Sequence, residues 1–298
     1  MKVRANGLQI EVEDSEPGNT RPPVLLVMGM GMQLIAWPQA LVDGLVAAGH
    51  RVVRFDNRDI GLSEKLDHLG TPNLLLEGVK FRFGMTVRSP YTLLDMANDG
   101  FGVLDALGIE QAHVIGASLG GMVAQRMALA KPERVLSLTS LMSSSGARHL
   151  PGPQPRVMQV LLSRPRDRSD AVVLAHYVRL FQAIGSPGFP TPPEDLRLQI
   201  RRSLQRGGYR PAASARQMAA VAADGGRAAE LRNIRVPTLV VHGADDPLVP
   251  VVCGEDTARR IPDAKFVAVP GMGHDLPPGV VERLLELVVP HLELRSQR

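Results

Sequence analysis

The feature that most constrains this 298-residue chain is an alternation of short, unbroken apolar runs with segments of helical period. Residues 24–28 (VLLVM), 51–55 (RVVRF), 113–115 (HVI), 134–141, 236–241 (VPTLVV) and 265–269 (KFVAV) are the runs. They are too short for helices and too continuous for a half-exposed strand, so they fit strands buried on both faces. Helical patterns fall at about 36–48, 91–107, 119–130, 251–260 and from about 279 onward. Residues 7–13 (GLQIEVE) alternate as a half-exposed strand does. Strand–helix alternation of this kind predicts an α/β fold, a mostly parallel twisted sheet with helices on both faces.

Near Met142 the texture changes. Residues 143–155 are rich in Ser, Gly and Pro, and helical patterns without a strong strand then run to about 228. The expected organisation is a core of residues 1–145 and 229–298, interrupted by a helical insertion at 146–228. A second irregular stretch, 64–90, is long for a strand-to-helix connection. Its Leu74, Leu75, Leu76, Val79, Phe81 and Phe83 fit either a short helix packed on the core or the wall of a substrate pocket.

Bulk composition narrows the function classes. Hydrophobic residues are 44% and charged residues 21%, which is ordinary for a globular domain. The formal charge is only +4 and aromatic residues are 4%, so the basic stripe with aromatics that nucleic-acid binding wants is absent. Cys253 is the single cysteine, so no intrachain disulfide can form. The first residues lack an apolar core of signal-peptide length, and no stretch of 18 uncharged apolar residues occurs. A soluble cytoplasmic protein with no membrane partner is the expectation. No histidine, carboxylate or cysteine cluster has zinc spacing, and no GxGxxG follows the first strand, so neither metal nor cofactor is expected.

Residues 116–121 read Gly-Ala-Ser-Leu-Gly-Gly, directly after the run HVI and before a helical segment. A serine on a sharp turn at this place projects its hydroxyl above the sheet edge. Small residues two before and two after let the neighbouring backbone come close. The amide after the serine, that of Leu119, opens the helix and points at developing negative charge. Ser118 is therefore the candidate nucleophile. A lone hydroxyl is too weakly acidic for that task and needs a base beside it. Of eight histidines, His274 lies in a glycine-rich loop (PGMGHD) after the run KFVAV, and such a loop can lay the ring over the sheet edge. His50, His68, His149, His176 and His291 lie in no motif and read as surface residues.

The stretches LLVMGM, FDNRDIGLS, HVIGASLGG, PTLVVHGADDPLVP and VPGMGH make the chain resemble the α/β-hydrolase superfamily over nearly its whole length. The likeness is strongest to the serine esterase branch that includes aclacinomycin methylesterase. The resemblance implies a helical cap where the insertion lies, and the chain order nucleophile, acid, base. It places the acid at Asp246, three residues after Gly243 and four before Pro250, with the adjacent Asp245 turned to solvent or capping the next helix. It makes His242 and His113 packed, structural rings. It sets one oxyanion donor at the Leu119 amide and the other at Met30, with Gly29 and Gly31 as alternatives in the same loop. Gly29, Met32, Trp37 and Met142 are candidate pocket residues. Asp56 and Arg58 are structural, and Asp59 stands where the family has glycine.

The reaction implied is hydrolysis of a small carboxylic ester through an acyl-enzyme. Perhydrolase or lactonase chemistry on the same three residues stays open, as does a non-catalytic small-molecule receptor on this fold.

Overall fold

The computed structural model describes residues 1–293. Strands β1 (Lys2–Ala5), β2 (Leu8–Ser15) and β3 (Arg21–Val27) are followed by helix α1 (Gln39–Ala47) and β4 (His50–Phe55). Helices α2 (Leu74–Arg82) and α3 (Leu93–Ala106) lead to β5 (Ala112–Ala117), α4 (Leu119–Ala130) and β6 (Val135–Leu141). Then come α5 (Pro155–Leu162), α6 (Asp170–Ile184), α7 (Pro193–Gly207), α8 (Pro211–Ala223) and the single turn α9 (Arg227–Glu230). The chain closes with β7 (Thr238–Gly243), α10 (Val251–Arg260), β8 (Lys265–Val269) and α11 (Pro278–Glu293).

Among the described residues the strands form one eight-stranded sheet in the order β1-β2-β4-β3-β5-β6-β7-β8. β2 is antiparallel to both its neighbours, and every pairing from β4 across to β8 is parallel. β1 and β2 are joined by Asn6 and Gly7, both at positive φ (47° and 82°). Asn-Gly is the pair that such a tight hairpin turn favours.

The unbroken apolar runs have a simple cause. In β3, Val24 and Leu26 face a core cluster with α1 and α11, while Leu25 and Val27 face a second cluster with α3 and α4. Side chains alternate between faces, so a strand covered on both must be apolar at every position. Burying each such side chain is worth about 1.5–3 kcal/mol. Helix starts follow equally local chemistry. Thr92 and Asp95 form a reciprocal capping box at α3. Proline opens α5, α7 and α8, where its missing N–H costs no helical bond.

The helices between β6 and β7 pack partly on each other, through Val178, Leu196 and Ile200. They are tied to the rest by charge. Arg216 of α8 makes a bidentate pair with Asp59 at 2.5 and 2.9 Å, both side chains buried. Arg206 of α7 reaches Asp56 at 2.6 Å, and Arg126 of α4 meets Asp224 and Glu230. Asp59 sits at φ 75°, a conformation that favours glycine. The carboxylate in the family's glycine place thus accepts backbone strain and gains a buried Arg partner from the insertion.

Two expectations are corrected. The 64–90 stretch does contain a helix, α2, but that helix does not pack its apolar face on the core as a buried element would: Leu75 is 81% exposed, and Leu76, Val79, Phe83 and Met85 also face solvent, while Leu66 ahead of it is buried in the core. Glu77 turns inward, accepting hydrogen bonds from Lys80 and the Arg88 amide. Of the histidines read as surface residues, His50, His176 and His291 are buried. No local motif announces their burial, which pushes the His291 imidazole down to about 4. His68 and His149 are exposed.

Candidate active site

Ser118 sits between β5 and α4 with φ 55° and ψ −120°, a strained turn for a residue with a side chain. The glycines around it are dictated by packing. A Cβ on Gly116 would lie 2.1 Å from the Gly120 carbonyl, and one on Gly120 would lie 1.9 Å from the Val27 carbonyl. The Ser118 amide donates to Leu141 at 2.9 Å, and Ser143 Oγ donates to the Ser118 carbonyl at 2.7 Å. Leu119 is the first residue of α4, so its amide belongs to the first turn, whose N–H groups lack helical acceptors. Ser118 is partly exposed, so its hydroxyl is accessible.

The loop between β8 and α11 brings His274 over this turn. Its Nε2 lies 3.0 Å from Ser118 Oγ, and its Nδ1 lies 2.6 Å from Asp246 Oδ2. Asp246 follows β7, and its other oxygen accepts from the amides of Leu248 (2.9 Å) and Val249 (2.8 Å). A carboxylate only accepts, so the imidazole proton is assigned to Nδ1, leaving the Nε2 lone pair toward the hydroxyl. Burial by itself would raise the Asp246 carboxyl. The electrostatic attraction of His274, its Nδ1 hydrogen bond, the nearby His242 ring and the Val249 amide outweigh it and hold the group well below the usual carboxylate range.

His242 is fully buried, with Nε2 2.7 Å from the Val249 carbonyl and 3.5 Å from Asp246 Oδ2. It braces the loop that carries Asp246. His113 is buried against Ser137 Oγ at 2.7 Å. Asp245 faces solvent and accepts from the Gly271 amide at 2.8 Å.

The loop after β3 passes against the serine: a Cβ on Gly29 would lie 3.2 Å from Ser118 Cβ. Within it the Gly31 amide donates to Gln217 Oε1 at 2.8 Å, so that donor is engaged. Met30 is partly buried between the two glycines. Asn57 holds the loop by donating to the Met28 carbonyl, and Asp56 holds it by accepting from the Leu34 amide. Arg58 pairs with Asp99 at 2.6 and 2.7 Å. Trp37 and Met142 are buried in the core cluster on the α1 and α11 side, and Met32 is partly buried against the same cluster.

Several residues around the site were not singled out by sequence. Ser143 buttresses the serine turn. Ser186, in the loop after α6, donates from N and Oγ to Asp275 (2.9 and 2.5 Å), and its Oγ accepts from the Gly273 amide at 2.8 Å. The His274 amide donates to the Ile184 carbonyl at 2.7 Å, and Gly188 N–H to the Gly271 carbonyl. The histidine loop is therefore strapped to the insertion. Asp275 stands next to His274, which is the one signal the sequence offers. Ser186 and Gln217 lie in unremarkable helical or loop text.

A family model of the α/β hydrolase fold matches residues 22–277. The chain belongs to this family. Among curated proteins it is similar to rhodomycin D methylesterase DauP of Streptomyces sp. strain C5, 30% identical over 302 residues covering 90% of each chain. It is as similar to rhodomycin D methylesterase DnrP of Streptomyces peucetius, 30% identical over 288 residues, again 90% of each. Among solved structures it resembles a meta-cleavage product hydrolase from Pseudomonas fluorescens IP01, with a TM-score of 0.75 and 20% identity, covering 98% of this chain and 97% of that one.

Proposed function

We propose that this protein is a serine-dependent carboxylic ester hydrolase with Ser118 as nucleophile, His274 as general base and acid, and Asp246 as the group that orients the imidazole. The observation that carries the reading is the relay from Asp246 Oδ2 to His274 Nδ1 at 2.6 Å and from His274 Nε2 to Ser118 Oγ at 3.0 Å. The similarity to two methylesterases supports an ester, and methyl esters first, as the bond cleaved.

Ser118 Oγ attacks the ester carbonyl carbon as its proton passes to His274 Nε2. The carbonyl π electrons move to oxygen, and the oxyanion accepts hydrogen bonds from the amides of Leu119 and Met30. Collapse of the tetrahedral species expels the alcohol, which takes the proton from His274. Water, deprotonated by the same imidazole, then releases the acid and regenerates the serine. Asp246 stays ionised throughout, which its depressed pKa favours. Residues 146–228 serve as a cap over this site.

The test is hydrolysis of p-nitrophenyl acetate and butanoate by the wild type and Ser118→Ala. The substitution is expected to lower kcat by at least about 10⁴-fold with the fold intact by circular dichroism. Hydrolysis that survives the substitution would end the serine mechanism.

A further inference from the structure

Gln217 is fully buried on α8, which the Arg216–Asp59 pair pins to the core one residue away. Its carboxamide oxygen accepts from the Gly31 amide at 2.8 Å. An amide N–H can only donate, so this contact fixes which end of the carboxamide faces the loop. The Nε2 end is left buried with no hydrogen-bond partner. A buried donor left unmade costs about 1–3 kcal/mol, so it calls for an explanation. Bracing Gly31 does not supply one, because a glutamate would accept from the same amide without a spare donor. Position supplies it. Gly31 is two residues from Gly29, which packs against Ser118 at the distance given above, so the spare NH₂ lies beside the loop where the ester carbonyl must seat.

We propose that Gln217 is a substrate-binding residue whose Oε1 holds the glycine loop while its Nε2 donates to an acceptor oxygen on the acyl part of the ester. The preferred substrates are then esters with a hydroxyl or keto oxygen close to the scissile carbonyl. This rests on the serine-esterase reading and names the substrate class for it. A site that hydrogen-bonds a substrate oxygen discriminates against the analogue lacking it, because the buried donor is then left unpaired.

The test compares methyl 3-hydroxybutanoate with methyl butanoate, which share a leaving group, in the wild type and Gln217→Glu. Where turnover is slow, the same ratio is read from competitive inhibition of p-nitrophenyl butanoate hydrolysis. The wild type is expected to favour the hydroxy ester by about tenfold or more in kcat/KM. Gln217→Glu keeps an acceptor for Gly31 but replaces the amide donor, so kcat/KM for the hydroxy ester should fall by about tenfold more than that for methyl butanoate and the preference should collapse. Gln217→Met, neutral and of similar length, should also abolish the preference and in addition lower kcat for both esters, since Gly31 loses its brace. No preference in the wild type, or an unchanged ratio in either folded variant, overturns the proposal and leaves Nε2 to a structural water. Failure of the parent reading is separate: it shows as methyl butanoate hydrolysis that persists in Ser118→Ala.

Discussion

The serine turn and the histidine loop meet at a 3.0 Å contact, yet they are held in different ways. The turn is locked from within the sheet. Gly116 and Gly120 admit backbone at distances no Cβ tolerates, and the Ser118 amide is bonded to β6. The histidine loop is held by the segment after β7, through Asp245 and Asp246, and also from outside the sheet. The His274 amide, the Gly271 carbonyl, the Gly273 amide and Asp275 all find their partners between Ile184 and Gly188, in the loop that follows α6. The serine turn is thus built into the core, whereas the histidine loop is shared between the β7 loop and the insertion. A substitution at a packing glycine in the first should register as lost stability. A substitution in the second should register as lost turnover.

The largest effect is expected at the turn. Gly120→Ala forces a methyl into the Val27 carbonyl, and Val27 cannot withdraw without disturbing β3–β5 pairing. A loss of about 3 kcal/mol in urea unfolding is expected, with activity falling only in step with the folded fraction. An unchanged midpoint would mean the turn is softer than its packing implies.

Next is the strap. Ser186→Ala removes both the bond to Asp275 and the acceptor for Gly273. It should cost about 1 kcal/mol of stability but roughly ten- to a hundredfold in kcat with KM little changed, because the imidazole loses its aim rather than its chemistry. Equal losses in stability and turnover would erase the contrast between the two regions.

The smallest effect is a pH dependence at Asp275. Burial pushes its carboxyl above the usual range, partly offset by the hydrogen bonds from Ser186. A carboxyl raised in the folded state holds its proton there after the unfolded chain has released it. Stability therefore falls as pH rises from the unfolded value of 3.8 through the raised one. Relative to Asp275→Asn, the wild type should gain stability as pH drops through that window, as read from melting temperatures. A parallel pair of profiles would show that the strap does not load this carboxylate.

Much of the fold was legible because its causes are local. α4 and β8 lie where their patterns put them, since each is bounded by glycine, proline or a change of hydrophobic period. The β1–β2 hairpin is not in the sequence reading although Asn6-Gly7 announces it, and the apolar text of α2 does not show that the helix leaves most of it uncovered, because a hydrophobic residue does not say whether anything covers it. At the site, Ser118, Asp246 and His274 were marked by glycines and by chain order, and the structure brings all three together. The departure at Asp59 was visible, but its reason, Arg216, lies 157 residues away.

The sequence alone determined where the strands from β3 onward run, which serine stands on the strand-to-helix turn and which residues could stand beside it, because steric demands within a few positions leave few options. Only the tertiary structure decided what surrounds them. Ser186 meets Asp275 across 89 residues and Gln217 meets Gly31 across 186, through helices whose placement depends on packing angles and buried ion pairs. Such contacts are set by how finished elements dock, a property of shape that the order of side chains along one helix does not encode.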